Sequence, residues 1–237
     1  MTKEEIDKII LKARVCYRLL EIETWQFTKN KTIVIPSYYI NIKDNKYILY
    51  IPDEVNSVAN SNDIATKGLF KSGSKVKIIG GKNLTVARQM FCFAELEELD
   101  LTEAEFTRNL KLASRMFYKS HIRNIIGATF DITNCDNRYD KEMFYKSNLG
   151  ETNLSIRMNN NFELPFNLSS RLNTSILNTD MNIFDYLFCN SLHIEIAEKY
   201  PDTNYEPLIN SIRTVNVCDG ITSNDTRLLE LLVEEFN

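Results

Sequence analysis

A chain of 237 residues in which 43% are hydrophobic and 11% aromatic can bury one continuous core, so a wholly disordered protein is excluded. The formal net charge of −4 gives no overall basic field of the kind that binds DNA or an anionic membrane, so neither direct nucleic-acid binding nor membrane binding is expected. No apolar run approaches the length of about 18 residues that a membrane span requires.

The N-terminal region is predicted to form a cap in front of a repeat array. Residues 2–21 place apolar side chains at helical spacing, which predicts an amphipathic helix. Residues 38–42 and 47–51 are rich in β-branched and aromatic residues and flank a Lys-Asp-Asn-Lys turn, which predicts a β-hairpin. We assign residues 1–60 to this cap of helix and hairpin, because the first repeat would otherwise expose its apolar end.

Met-Phe pairs recur along the middle of the chain at nearly constant spacing. They lie at Met90-Phe91, Met116-Phe117 and Met143-Phe144, with intervals of 26 residues (90 to 116) and 27 residues (116 to 143). Leu69-Phe70 fits the same position in an earlier unit, and Leu187-Phe188 fits it in a later one. A recurring unit of this length is typical of a stacked solenoid. We therefore expect these Met and Phe side chains to belong to the core.

Each unit is also predicted to contain one strand. Residues 96–101 read Leu-x-x-Leu-x-Leu, and the segments five residues after the next two Phe, which begin at 122 and 149, fall in the same register. Alternation along a strand sends Leu99 and Leu101 into the core and turns Glu98 and Asp100 to the opposite face.

After residue 155 the repeat becomes irregular, although residues 176–181 and 212–217 still fit the strand template. The tail from 224 to 236 has apolar residues at helical spacing, and Asp225 near its start suits the helix dipole. The prediction is thus an α/β leucine-rich-repeat solenoid with a helical C-terminal cap at 223–237. Its repeat array covers 61–222, regular to about 155 and degenerate after it.

These units resemble the BspA-like leucine-rich repeats of bacteria. In that family the strand reads Leu-x-x-Leu-Asp-Leu and the unit ends in Met-Phe, as residues 96–101 and Met116-Phe117 do here. Residues 51–55, Ile-Pro-Asp-Glu-Val, also resemble the Ile-Pro-Asp-x-Val segment of such repeats. The resemblance covers roughly residues 50–155, and it implies a leucine-rich-repeat fold and a binding role.

One face of the predicted sheet should carry the side chains that a partner meets. With Ile79 in the same columns, we predict a partner-binding face of Lys77, Glu98, Asp100, Asn124, Ile126, Glu151 and Asn153. Carboxylates and amides dominate this face, so the expected partner is a protein with a basic surface, and Ile126 would fill a small apolar pocket on it. A solvated face without a partner is the alternative interpretation.

The expected function is therefore non-enzymatic protein–protein interaction without a cofactor or a metal, in one version as a phage or mobile-element inhibitor of a host protein complex. A surface adhesin-like repeat fragment is one alternative. The other is a hydrolase or thiol enzyme, because Cys189 and His193 are four residues apart and would share a face of a helix. Packing of Cys189 in the core is the competing interpretation of that pair.

The cysteines and the first residues bear on localisation. The five cysteines are odd in number and scattered without a Cys-x-x-Cys motif, which is typical of reduced thiols. The start of the sequence lacks a basic segment followed by an apolar one, so no export signal is expected. We expect a cytoplasmic protein, in a bacterium or, for a phage-encoded chain, in the host cell.

Overall fold

The computed structural model of the chain is built mainly from short β-strands. It describes residues 20–21, 38–43, 46–51, 53, 72–135, 142–159, 183–198 and 203–236. In chain order the strands are β1 (Leu20–Glu21), β2 (Tyr38–Lys43), β3 (Lys46–Ile51), β4 (Ser74–Gly80), β5 (Glu95–Ala104), β6 (His121–Ile126), β7 (Thr129–Asp131), β8 (Asn153–Met158), β9 (Phe188–Cys189), β10 (Ser191–Ile196), β11 (Asn216–Val217) and β12 (Ile221–Ser223). A 3-10 helix (Glu105–Arg108) follows β5, α1 (Glu206–Ile212) precedes β11, and α2 (Thr226–Phe236) follows β12.

The first sheet has six strands in the order β1-β2-β3-β4-β5-β6. Pairing from β3 to β6 is parallel, whereas β2 and β3 form the predicted antiparallel hairpin. The helix predicted for residues 2–21 is wrong at its end, because Leu20 and Glu21 form β1 and pair with β2. The remainder of that predicted helix lies outside the described residues.

The second sheet has four parallel strands in the order β12-β10-β8-β7. Beside it, isolated parallel bridges join His121 to Asn148 and Asn148 to Phe188, and β9 then pairs with β11. The line of strands of the first sheet therefore continues beyond β6, through Asn148, to β9 and β11. In each pass the chain adds one segment to this line and then forms a strand of the second sheet: β6 is followed by β7, Asn148 by β8, β9 by β10, and β11 by β12.

A stack of phenylalanine rings runs through the core and joins these passes. The phenylalanine stack consists of Phe91, Phe117, Phe144 and Phe184, with ring centroids 5.1, 5.3 and 6.1 Å apart and interplanar angles of 17°, 6° and 6°. Each stacked pair contributes about 0.5–1.5 kcal/mol beyond the burial of its area. We call each turn that carries one of these rings, together with the strands that follow it, a layer.

The predicted burial of the Met-Phe pairs is confirmed for the three described pairs, whose side chains are at most 1% exposed. The later pair is placed wrongly in the prediction: Ile183 and Phe184 occupy its position, whereas Phe188 lies in β9. Sequence spacing was misleading here because the interval from Phe144 to Phe184 is longer than those before it. Leu69-Phe70 lies outside the described residues.

Two predicted strands differ from those in the structure. The segment that begins at Leu149 forms a turn, and the strand starts only at Asn153 and joins the second sheet. Residues 212–217 form a strand only at Asn216–Val217, because Ile212 still belongs to α1. The predicted strand at 176–181 lies outside the described residues.

The predicted C-terminal helix is confirmed as α2. The Asp225 carboxylate accepts a hydrogen bond from the Leu228 amide at 3.0 Å, which satisfies an amide of the first turn that has no partner within the helix. The Asn224 side chain pairs with both backbone groups of Ile196 at 2.8 and 3.0 Å. Leu228 and Leu232 are buried, so the helix is held both at its start and along its apolar face.

Two buried serines at equivalent positions of adjacent layers give a matched test of the core. Ser147 Oγ donates to the Phe117 carbonyl, whereas Ser120 Oγ has no hydrogen-bond partner within the described part of the chain. Ser147→Ala should lower the free energy of unfolding by about 1 kcal/mol, while Ser120→Ala should be neutral or slightly stabilising. Urea denaturation measures both, and equal losses would contradict the assigned hydrogen bonds.

Gly150 is required where the chain leaves the first line of strands for the second sheet. Its φ is +49°, and a Cβ there would lie 2.3 Å from the carbonyl oxygen of Arg123. Gly150→Ala should therefore cost about 2 kcal/mol of unfolding free energy or more. Gly220→Ala is the control, because φ is +94° there but no atom lies within 4 Å of the added carbon. Similar losses for both variants would mean that the turn relaxes to accept the Cβ.

Candidate functional site

The paired strands β4 and β5 carry a cluster of charged side chains on the face turned away from the core. We call this cluster the carboxylate face; it consists of Lys75, Lys77, Glu97, Glu98, Asp100 and Glu103. Irregular register between the two strands places Lys75 opposite Glu98 and Lys77 opposite Asp100. The predicted alternation is confirmed, since Leu99 and Leu101 are at most 2% exposed.

Two lysines hold four carboxylates on this face. Lys75 Nζ lies 3.2 Å from Glu97 Oε1 and 3.7 Å from Glu98 Oε2. Lys77 Nζ lies 3.2 Å from Asp100 Oδ2 and 2.7 Å from Glu103 Oε1. Within the cluster, four negative charges therefore meet two positive ones.

Asp100 is bound into the structure more tightly than its neighbours. Burial alone would raise the pKa of Asp100, but hydrogen bonds from Thr102 Oγ1 (2.6 Å) and the Thr102 amide (2.9 Å), together with Lys77, lower it below its ordinary value. Burial alone would lower the pKa of Lys77, but Glu103 and Asp100 raise it. Both groups therefore stay ionised at neutral pH.

The structure brings together part of the predicted partner-binding face. Glu98 lies opposite Asn124, and Asp100 lies opposite Ile126, whose side chain is 38% exposed. Ile79, by contrast, is only 4% exposed, so it does not contribute to an open face.

Glu151 and Asn153 lie apart from the other predicted residues. Glu151 is in the turn before β8 and forms an ion pair with Arg123 at 3.1 Å. Asn153 begins β8 in the second sheet, where its Oδ1 accepts hydrogen bonds of 2.8 Å from Asn190 and Ser191. The single face that strand alternation predicts is thus divided between two sheets.

Sequence reasoning missed a second surface, on the turns that hold the phenylalanine stack. We call it the aromatic–cation surface; it consists of Phe93, Arg115, Tyr118, Lys119, Tyr145, Lys146 and Tyr186. Ring centroids of successive aromatic residues are 5.7 Å (Phe93 to Tyr118), 5.4 Å (Tyr118 to Tyr145) and 6.0 Å (Tyr145 to Tyr186) apart. Phe93 and Tyr186, at its two ends, are 42% and 56% exposed.

Cationic side chains cover the rings of this surface. Arg115 and Lys119 lie 5.3 and 5.0 Å from the ring centroid of Tyr118. Lys146 lies 5.1 Å from the ring centroid of Tyr145 and 5.4 Å from that of Tyr186. These distances are those of cation–π contacts. The sequence signal was the recurrence of Tyr-Lys directly after two of the Met-Phe pairs.

The turns beneath this surface have an uncommon backbone. Residues at both ends of a turn have positive φ, for example Arg115 (56°) with Lys119 (52°) and Glu142 (62°) with Lys146 (54°). A residue with a Cβ is disfavoured by about 1–2 kcal/mol in this left-handed region, where glycine is the usual occupant. Large side chains are present there nonetheless.

The structure does not form the Cys189–His193 pair that a thiol enzyme would need. The two residues lie in separate strands, β9 and β10, so the expectation of a shared helix face is wrong. Burial raises the pKa of the Cys189 thiol to about 12, which keeps it protonated, and its Sγ contacts the Ser191 carbonyl at 3.4 Å. His193 Nδ1 instead lies 2.9 Å from Thr222 Oγ1.

Comparison with known proteins does not indicate a function for the chain, so the function is inferred from the two surfaces. No family model, curated protein or solved structure matches the chain.

In the part of the chain that the structure describes, no three His, Cys, Asp or Glu side chains are grouped as metal ligands would be. No helix of the described ranges is both long enough and apolar enough to cross a membrane.

The burial of Cys189 predicts low thiol reactivity. Burial raises the pKa of Cys92 to about 11 and that of Cys189 to about 12, whereas Cys218 is exposed. Iodoacetamide at pH 8 should therefore alkylate Cys218 well before Cys92 and Cys189, since the thiolate is the reactive form. Peptide mass spectrometry at timed intervals measures the order. Rapid alkylation of Cys189 in the folded protein would instead support the thiol-enzyme interpretation.

Proposed function

We propose that the chain is a non-enzymatic interaction protein that binds a partner with a basic surface through the carboxylate face. The observation that carries the proposal is that, among the six side chains of this face, four carboxylates of β5 share two lysines of β4. The lysines hold these carboxylates in place before binding, so a basic partner meets groups that are already ordered. Ile126, exposed beside Asp100, supplies an apolar contact within the polar face.

The fold proposed for this role is a leucine-rich-repeat solenoid related to the BspA-like repeats. Three features support it: the spacing of the Met-Phe pairs, the stack of one Phe ring per layer, and the parallel pairing of strands from successive layers. Solenoids of this kind present extended surfaces to partners. The carboxylate face lies on such a surface, on strands that stack side by side.

The most specific version of the proposal is a phage or mobile-element inhibitor that acts on a host protein complex in the bacterial cytoplasm. Cys92, Cys135, Cys189 and Cys218 are all free thiols, as is usual for a protein of a reducing compartment. The inhibitor would act by occupying a basic surface that the host complex needs for its own assembly or ligand. No catalytic group is required for such an activity.

The proposal is tested by removing charge from Glu97 and Glu98 together, as Gln. These two residues contact only Lys75 among the lysines of the face. Asp100 is left unchanged because it accepts a hydrogen bond from Thr102, so its replacement would alter the stability of the fold as well as the affinity for a partner. Partners are first captured from bacterial lysate by the wild-type chain, identified by mass spectrometry and purified. Binding by the double variant should then be at least about tenfold weaker, and the affinity should fall with added salt.

The matched control removes two negative charges from α2, with Glu230→Gln and Glu234→Gln. Both residues are exposed on the helix, far along the chain from the carboxylate face. The control should bind as the wild type does, with circular dichroism confirming that each variant is folded. Equal affinity of both double variants would show that the partner binds elsewhere.

A further inference from the structure

The aromatic–cation surface differs in charge from the carboxylate face and has no part in the function proposed above. Arg115, Lys119 and Lys146 give it three positive charges. Glu142, which forms an ion pair with Arg115, and Asp185, which directly precedes Tyr186 and accepts a hydrogen bond from Ser211, bring two negative charges to it. The surface lines the turns directly before the strands, since Phe93 and Lys119 each precede a strand by two residues. It is therefore a distinct, locally cationic surface on a chain of net negative charge.

The ring faces of the two central tyrosines, Tyr118 and Tyr145, are already occupied. Tyr118 and Tyr145 stack on each other with an interplanar angle of 12°, while Lys119 and Lys146 lie over their rings. Tyr118 and Tyr145 thus offer ring edges and hydroxyl groups rather than open faces. A ligand that binds by stacking, such as a nucleobase, requires an open aromatic face, and the centre of this surface does not provide one.

What remains accessible favours carboxylates. Aromatic edges carry partial positive charge, tyrosine hydroxyls donate hydrogen bonds, and an ammonium group has three donors, so it can bind a carboxylate while it stays over a ring. We propose that the aromatic–cation surface is a second binding site, which takes an acidic segment of a protein partner. The site does not depend on the carboxylate face.

Charge elsewhere favours a short acidic segment over a long polyanion. β5 begins with Glu95 two residues after Phe93, and Glu97 follows, so a nucleic acid that ran beyond the turns would meet carboxylates. An acidic peptide can keep its charges on the turns alone. Like-charge contacts of this kind suppress incorrect partners.

The spacing of the layers suits an acidic helix. Rings of the phenylalanine stack are 5.1–6.1 Å apart from one layer to the next, and the pitch of an α-helix is about 5.4 Å. Carboxylates four residues apart on a partner helix would therefore meet Lys119 and Lys146 in adjacent layers. A helix of this pattern is the probe that the geometry specifies.

Fluorescence anisotropy at low ionic strength tests the site with a fluorescein-labelled peptide of repeated Glu-Ala-Ala-Ala units. The same peptide with Gln in place of Glu and a labelled single-stranded oligothymidine are measured in parallel. The wild-type chain should bind the Glu peptide, and the Lys119→Gln/Lys146→Gln variant should bind it at least about tenfold more weakly. The Gln peptide should bind poorly, because it lacks the charges.

The matched control replaces two exposed lysines outside the surface, with Lys82→Gln and Lys111→Gln. It should bind the Glu peptide as the wild type does, and the single variant Lys146→Gln should be intermediate. Should the double variant fail to fold by circular dichroism, the comparison of Lys146→Gln with the control decides. Absence of Glu-peptide binding, an equal loss in the control, or tighter binding of oligothymidine than of the Glu peptide would overturn the proposal.

The carboxylate face can be tested in the same assay, so that the two sites are distinguished. The Glu97→Gln/Glu98→Gln variant should bind the Glu peptide as tightly as the wild type or more tightly, because it removes repulsion. Loss of peptide binding in that variant would mean that the two surfaces are not independent, which contradicts the inference.

Discussion

One ring per layer is the constraint on which the rest of the structure depends. The phenylalanine stack holds the layers 5.1–6.1 Å apart, and the strands that follow Phe91 and Phe117 pair in parallel. Because each Phe is fully buried, a displaced ring would leave a cavity bordered by two neighbouring layers. The stack also fixes the turns, and these turns display the outer aromatic residues in a matching series.

Local signals in the sequence were enough for the core and for some element ends. The Met-Phe spacing predicted buried side chains, alternation predicted the inward Leu99 and Leu101, and Asp225 predicted the start of α2. Each of these follows from a recurrence, an alternation or a capping residue that can be read along the chain. Other features depend on contacts between layers. The turn at Gly150 brings its backbone close to Arg123, and after this turn Asn153 begins a strand of the second sheet.

The sequence predicted part of the carboxylate face and none of the aromatic–cation surface. Strand alternation identified Glu98 and Asp100 as outward, but it could not show that lysines of β4 already neutralise part of their charge, because that depends on the irregular register of two strands. The aromatic–cation surface was not predicted from the sequence for another reason. Lys119 and Lys146 lie in turns of positive φ, a backbone conformation that neither helical nor strand periodicity predicts. The scaffold thus carries opposite local charges on strands and on turns.

The sequence separation between bonded layers also bears on how the chain folds. The Ile125 amide binds Thr152 Oγ1, and the Phe184 amide binds Ser211 Oγ, each across 27 positions of sequence. Each layer thus closes a loop of moderate length, 26 or 27 residues up to Phe144 and 40 residues from Phe144 to Phe184, rather than one that spans the chain. The entropy lost on closure rises only slowly with this length. In the proposed solenoid, folding can begin at any well-packed pair of layers and extend to the neighbours in both directions.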